Sequence, residues 1–199
     1  MMRKSALLIG AFVLSVAPSL AEALTIGGIS FSENAFADVV ISTNASSSHF
    51  VTGDPQVVVT AEEAITGSDQ DSYFDPSGGE YVEIGFTNNV LINREGDDFV
   101  VFELGTAEMA AIRLTVGGTQ RNVLSTYTGF NNSYGSAINV AFFDLDDFGI
   151  APNATINSLV IATVGAPEFS AVAAIPEPST ALLLGLGFAG MAAGRRRIR

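Results

Sequence analysis

The side chains best equipped for chemistry in this chain are carboxylates set close together on turn-like segments. Asp69, Asp71 and Asp75 fall within Ser68-Asp69-Gln70-Asp71-Ser72-Tyr73-Phe74-Asp75, Asp97 and Asp98 are adjacent, and Asp144, Asp146 and Asp147 lie within six residues of one another. Hard oxygen donors gathered on turns are what Ca2+ takes, so Asp69, Asp71, Asp97, Asp98, Asp144 and Asp146 are the residues expected to hold calcium if the chain holds any. The first set departs from an EF-hand loop, which needs a further acidic position and a glycine at its sixth residue. Asp98 and Glu103 stand on opposite faces of one regular strand, so a single ion could reach both only across a bulge. Solvated turns account for the same pattern without an ion.

Other chemistry is poorly supplied. His49 is the sole histidine and cysteine is absent, which removes two-histidine metal sites, thiol nucleophiles and disulfides. A serine hydrolase would depend on His49, in a polar stretch after three serines, and no Gly-x-Ser-x-Gly elbow accompanies it. No glycine-rich turn leads into Lys-Ser or Lys-Thr, so a phosphate loop is missing. Paired acids could hydrolyse glycosides in principle, but such clefts use aromatic platforms, and here tryptophan is absent and phenylalanine dominates. The expectation is a protein that is not an enzyme.

The C-terminal region has a different logic. Ile175-Pro176-Glu177-Pro178-Ser179-Thr180 leads into an uncharged run from Ala181 to Gly194 and then Arg195-Arg196-Arg197-Ile198-Arg199. Pro176 and Pro178 lack backbone donors and push their neighbours toward extended geometry, which keeps the tripeptide open to a processing enzyme. As a helix the run would span about 21 Å against a hydrocarbon core of about 30 Å, so snorkelling arginines and local thinning must close the gap. Arg195, Arg196, Arg197 and Arg199 form a cytoplasmic stop by the positive-inside rule, placing the preceding chain outside. Pro-Glu-Pro, apolar helix and basic end, in that order, resemble the PEP-CTERM tag of Gram-negative bacteria. The resemblance implies recognition at Pro176, Glu177 and Pro178 by exosortase, a transient hold in the inner membrane, and delivery to the outer surface or extracellular matrix.

The start of the chain is consistent with export. Met1-Met2-Arg3-Lys4, an apolar stretch from Ala6 to Val16 and small residues around Ala21 and Ala23 form a signal peptide expected over 1–23, for signal peptidase to remove. That leaves a body over 24–173 and a sorting segment over 174–199. Between Leu24 and Ile175 there are three arginines, no lysine and 19 carboxylates, a formal charge of −16. Such a field repels nucleic acid and anionic lipid, favours solubility and attracts cations.

The body is long enough for one hydrophobic core. Alternation in Tyr81-Val82-Glu83-Ile84-Gly85-Phe86 and in Ile112-Arg113-Leu114-Thr115-Val116 predicts strands. Further strands are expected over Asp38 to Ser42, Gln56 to Thr60, Phe99 to Leu104, Asn122 to Thr128, Ala137 to Asp144 and Ser158 to Val164. Helical turns are expected only at Ala61 to Ile65 and near Ala107 to Ala111. The predicted class is all-β, a single antiparallel β-sandwich of jelly-roll type, flanked by the signal peptide and a C-terminal transmembrane helix. Phe36-Ala37-Asp38, Ile84-Gly85-Phe86, Gly96-Asp97-Asp98-Phe99-Val100-Val101-Phe102-Glu103 and Asp144-Leu145-Asp146-Asp147, in this order, resemble a group of bacterial surface proteins with a discoidin-like, galactose-binding-like jelly roll. Leu104 departs from that group's Phe-Glu-Asn-Gly, removing a side-chain ligand from the corner. Two roles follow as expectations: a structural or adhesive component associated with extracellular polysaccharide, or a carbohydrate-binding module, with calcium as its one candidate cofactor.

Overall fold

The structure, a computed structural model, describes residues 23–45, 49–51, 57–76, 79–114, 118–162 and 167–176. Of the signal peptide expected over 1–23, residues 1–22 lie outside the described residues, as do Glu177, Pro178, the apolar run and the arginines Arg195 to Arg199. Among the described residues no helix is long and apolar enough to cross a membrane.

The strands in chain order are β1 (Ala23–Ile26), β2 (Ile29–Ser32), β3 (Val39–Thr43), β4 (His49–Val51), β5 (Val57–Val58), β6 (Ser72–Phe74), β7 (Tyr81–Gly85) and β8 (Leu91–Ile92). They continue as β9 (Phe99–Leu104), β10 (Met109–Arg113), β11 (Gln120–Leu124), β12 (Thr126–Asn131), β13 (Ala137–Phe143), β14 (Thr155–Ile156), β15 (Ser158–Ala162) and β16 (Glu168–Ala174). Two antiparallel sheets face each other, one ordered β11-β10-β15-β7-β3 and the other β12-β13-β9-β16-β6-β4-β5. The all-β sandwich class expected from the alternation is therefore the observed one.

Alternation decides what lies between the sheets. Val82 and Ile84 of β7, Ala110 and Ile112 of β10, and Leu159 and Ile161 of β15 point inward from one side. Phe99 and Val101 of β9, Phe143 of β13, Phe74 of β6, and Phe169 and Val172 of β16 meet them from the other. Phe99 and Phe143 stack at 5.1 Å with their planes 9° apart, an offset geometry suited to the ring quadrupoles.

A second core lies on the far face of the larger sheet. The hairpin β1-β2 and the 3-10 turn Glu33–Ala35 bring Ile26, Phe31, Ala35 and Phe36 onto Val100, Phe102, Leu104, Val140, Ala171 and Ala173. All six residues of β9 are consequently buried. An unbroken apolar run, Phe-Val-Val-Phe, is what a strand covered on both faces requires.

Several boundaries differ from those expected. The stretch Asn122 to Thr128 divides at Ser125 into β11 in one sheet and β12 in the other: the Ser125 N–H still donates to the Glu108 carbonyl at 2.9 Å, in register with the β10-β11 pairing, and the next residue, Thr126, pairs with Val140 of β13. The strand placed at Ile112 to Val116 begins earlier, at Met109, so the helical turn expected near Ala107 to Ala111 is largely strand. Thr115–Gly117 lie outside the described residues. The helical turn Ala61–Ile65, α1, forms as expected and carries a full capping box: Glu63 N–H donates to Thr60 Oγ1 at 3.1 Å and Thr60 N–H to Glu63 Oε2 at 2.9 Å. Strands β1, β2, β4, β6, β8, β14 and β16 were not among those expected.

Phe31 tests the second core, since its ring sits 5.3 Å from Phe36 and 5.8 Å from Phe102. Phe31→Ala is expected to lower stability by about 3–5 kcal/mol, as buried aromatic truncations do. Urea unfolding measures this, and a loss under about 1 kcal/mol would show that the hairpin contributes little to the fold.

Candidate functional site

The carboxylates nominated from the sequence separate into two places. Asp69 Oδ1 accepts from the Asp71 N–H at 2.9 Å and its Oδ2 from Ser72 Oγ at 3.0 Å. Asp71 in turn accepts from the Ser133 N–H at 3.2 Å and from Ser133 Oγ at 2.5 Å, tying the loop before β6 to the β12-β13 turn. Asp98, Asp144 and Asp146 meet elsewhere, at the end of the sandwich where β9 starts and β16 finishes. Asp98 accepts from the Arg94 N–H at 2.8 Å and the Leu145 N–H at 2.9 Å. Asp144 caps the 3-10 turn Leu145–Phe148 through the Asp146 N–H at 2.8 Å, and Asp146 accepts from Asn93 Nδ2 at 2.7 Å. Asp97 is exposed beside them.

Asp69, Asp71 and Asp98 are turn staples, both oxygens of each accepting from a backbone or side-chain donor, and Asp144 and Asp146 each accept through Oδ1. Burial raises the Asp98 pKa, its two backbone N–H bonds oppose that rise, and the charges of Asp144 and Asp146 add to it. Among the described residues no group of three or more histidine or acidic side chains is placed to hold a metal ion. His49 starts β4 opposite Phe74, far in sequence from any of them.

The same end of the sandwich releases the sorting segment. Strand β16 lies between β9 and β6. Its last turns are pinned further: the Ala37 N–H donates to the Val172 carbonyl at 2.9 Å, Phe36 bridges Ala173, and the Ile175 N–H donates to the Asp98 carbonyl at 2.8 Å. Ile175 packs against the second core and Pro176 is exposed. The strand carrying the expected body boundary at residue 173 thus runs on through Ala174, and the accessible chain begins at Pro176, the first residue of Pro-Glu-Pro. A cleft of about 230 Å3, walled by Asn89, Val90, Ile92 and Arg94, opens beside Ile175 and Pro176.

At the opposite end is a carboxylate nest that sequence reasoning missed. Glu103 lies on the inward face with Phe99 and Val101 and is buried. Its Oε2 accepts from Ser125 Oγ and, at 3.1 Å, from the Glu108 N–H, while its Oε1 is buried without a partner. Glu108, Glu168 and Asp75 surround it. Burial, followed by the charges of Asp75, Glu103 and Glu108, raises the Glu168 pKa to about 7. Period-two alternation places residue 103 on the core face, which was the available signal, but Glu108 arrives from the segment before β10 and Glu168 from β16.

A groove of about 370 Å3 runs between the β1-β2 turn and the β12-β13 turn, lined by Phe130, Asn131, Asp69 and Asp71 among others. Gly28 adopts φ +81°, and a Cβ there would meet the Phe130 ring at 2.9 Å. The glycine is needed for the turn and for the close seat of Phe130.

Residues 174–197 match the PEP-CTERM protein-sorting motif family. No curated protein and no solved structure matches the chain. The PEP-CTERM motif marks an exported, membrane-anchored precursor that exosortase processes and that is sorted to the cell surface.

The nest makes stability depend on pH. Glu168, Glu103 and Asp75 all have folded pKa values raised above their unfolded ones. A raised folded value means that the native state binds the proton more tightly, so the contribution of these groups to stability is full below about pH 4 and is lost as pH rises through about 7. For half-exposed Glu168 the loss is about 1–2 kcal/mol after solvent screening. Glu168→Gln is expected to flatten the fall in melting temperature between pH 5 and 8 and to melt a few degrees higher at pH 8. Parallel wild-type and variant curves would refute the assignment.

Proposed function

We propose that the body is a non-catalytic structural or adhesive component of the cell surface or its polysaccharide matrix, delivered there by exosortase. The observation that carries this reading is the junction. The sandwich is complete at Ile175, with Pro176 already exposed, so removal of everything beyond it leaves every strand of the body paired. Signal peptidase acts at the other end, on the segment before Leu24. A charge of −16 without lysine keeps the freed body soluble and away from anionic lipid and nucleic acid.

The groove beside Phe130 supports a second reading, as a carbohydrate-binding module. Phe130 is 53% exposed and held from behind by Gly28, and a rigid aromatic face next to carboxylate and amide groups suits the apolar face and hydroxyls of a sugar. Calcium would enter this reading through Asp69 and Asp71, which line the groove.

Two measurements follow. The intact mass of the protein is expected to end between Pro176 and Pro178 in cells with exosortase, and to retain the arginine tail in cells without it; a tail kept in both strains removes the surface role. In affinity electrophoresis through the cell's own polysaccharide, Phe130→Ala is expected to abolish retardation, and EDTA to weaken it if calcium takes part. Equal mobility of wild type and Phe130→Ala, with or without polysaccharide, leaves the structural reading alone.

A further inference from the structure

The distance between the folded body and the membrane is set by very few residues. Ile175 is the last residue tied to the sandwich, and the apolar run begins at Ala181. Six peptide steps reach at most about 21 Å even when fully extended, and a headgroup layer takes about 5–8 Å of that. The chain cannot lend more length from the body side, because β16 is flanked by β9 and β6 and covered on both faces. Strands so placed open only with the whole domain. An enzyme embedded in the membrane must therefore reach Pro176 to Pro178 in a gap narrower than a protein domain, with the sandwich end against it.

That end is not featureless. The cleft there has apolar walls, Val90 and Ile92, with Arg94 and Asp98 lining it as well. It shares Ile175 and Pro176 with the motif, so whatever grips Pro-Glu-Pro is already at its mouth. We propose that this cleft is a docking surface for the membrane-embedded processing enzyme, which reads the folded end of the sandwich together with the Pro-Glu-Pro motif. The inference rests on the sorting reading and adds to it a contact outside the motif.

The test uses the full chain in cells that contain exosortase, following loss of the arginine tail by pulse-chase. Val90→Asp and Arg94→Glu change the rim; both positions are at least partly exposed, and the Arg94 N–H that serves Asp98 is kept in the variant. Each is expected to slow processing about tenfold while the body's melting temperature stays at the wild-type value. A ten-residue Gly-Ser insertion between Ile175 and Pro176 adds about 16–19 Å of flexible reach, so in that background the rim substitutions should no longer matter. Processing of both rim variants at the wild-type rate overturns the inference. So does equal slowing with and without the insertion, since that effect would not depend on the forced contact. Should Val90→Asp fail to fold, Arg94→Glu and the insertion decide the matter. Glu177→Ala separates the two levels: if it alone blocks processing, the motif reading stands and the docking surface falls, whereas a wild-type chain that keeps its tail removes both.

Discussion

The burial of β9 on both faces is the constraint from which the rest of the architecture follows. Phe99, Val101 and Glu103 face the smaller sheet, and Val100, Phe102 and Leu104 face the hairpin β1-β2. Six consecutive buried residues demand a layer on each side, so a chain with a two-sheet sandwich also needs the small N-terminal cover. Strand β16 is the neighbour of β9 along its whole length and inherits the same double cover. The sorting segment grows directly from this strand. Its root is thereby among the most firmly held parts of the body, not a linker.

Charge imposes the second constraint. With three arginines among 19 acids, most carboxylates in the body have no cationic partner to choose. They accept instead from backbone N–H groups and hydroxyls: Asp38 from Thr87, Asp69 from Asp71 and Ser72, Asp71 from Ser133, Asp98 from Arg94 and Leu145. Where such bonds outweigh burial the carboxylate stays ionised at low cost, as at Asp38, whose pKa is lowered by Thr87 and neighbouring N–H groups against the opposing effect of burial. Where burial outweighs the bonds, as at Asp98, Glu103 and Glu168, the pKa moves the other way. Acidity that reads in sequence as an offer to a metal is largely consumed in closing loops.

What was legible in the sequence was local. Alternation in Tyr81 to Phe86 and the apolar run from Phe99 to Leu104 identify β7 and β9, and Thr60 with Glu63 announces the capping box of α1. The Pro-Glu-Pro motif, apolar run and arginines needed no structure at all to be read together, and the family match covers them. Glu168-Phe169-Ser170-Ala171-Val172-Ala173-Ala174 was not legible, because small residues weaken the strand signal that β-branched and aromatic side chains provide. The break at Ser125 was equally hidden: Asn122 to Thr128 reads as one strand, and only the pairing of Val123 and Leu124 with β10 but of Thr126 and Tyr127 with β13 shows that the chain changes sheets there. The carboxylate nest joins residues from β9, β16 and the segments after β6 and before β10, a juxtaposition that local spacing cannot encode.

The placement of the tag has an energetic consequence for maturation. A sorting segment joined through a loose linker could be cut without reference to the state of the body. Here the accessible residue Pro176 follows Ile175 by one peptide, and Ile175 is held only when β9 and β16 have paired and the Asp98 carbonyl is in position. In an unfolded chain the same tripeptide would be tethered by a long flexible coil, with a different distance to the membrane and none of the cleft walls beside it. The two states thus present the same motif at different effective concentrations to a membrane-bound enzyme. Because, among the described residues, no strand of the sandwich extends past Ala174, cleavage beyond Ile175 would leave the described backbone pairs of the body unchanged while altering its charge and anchoring.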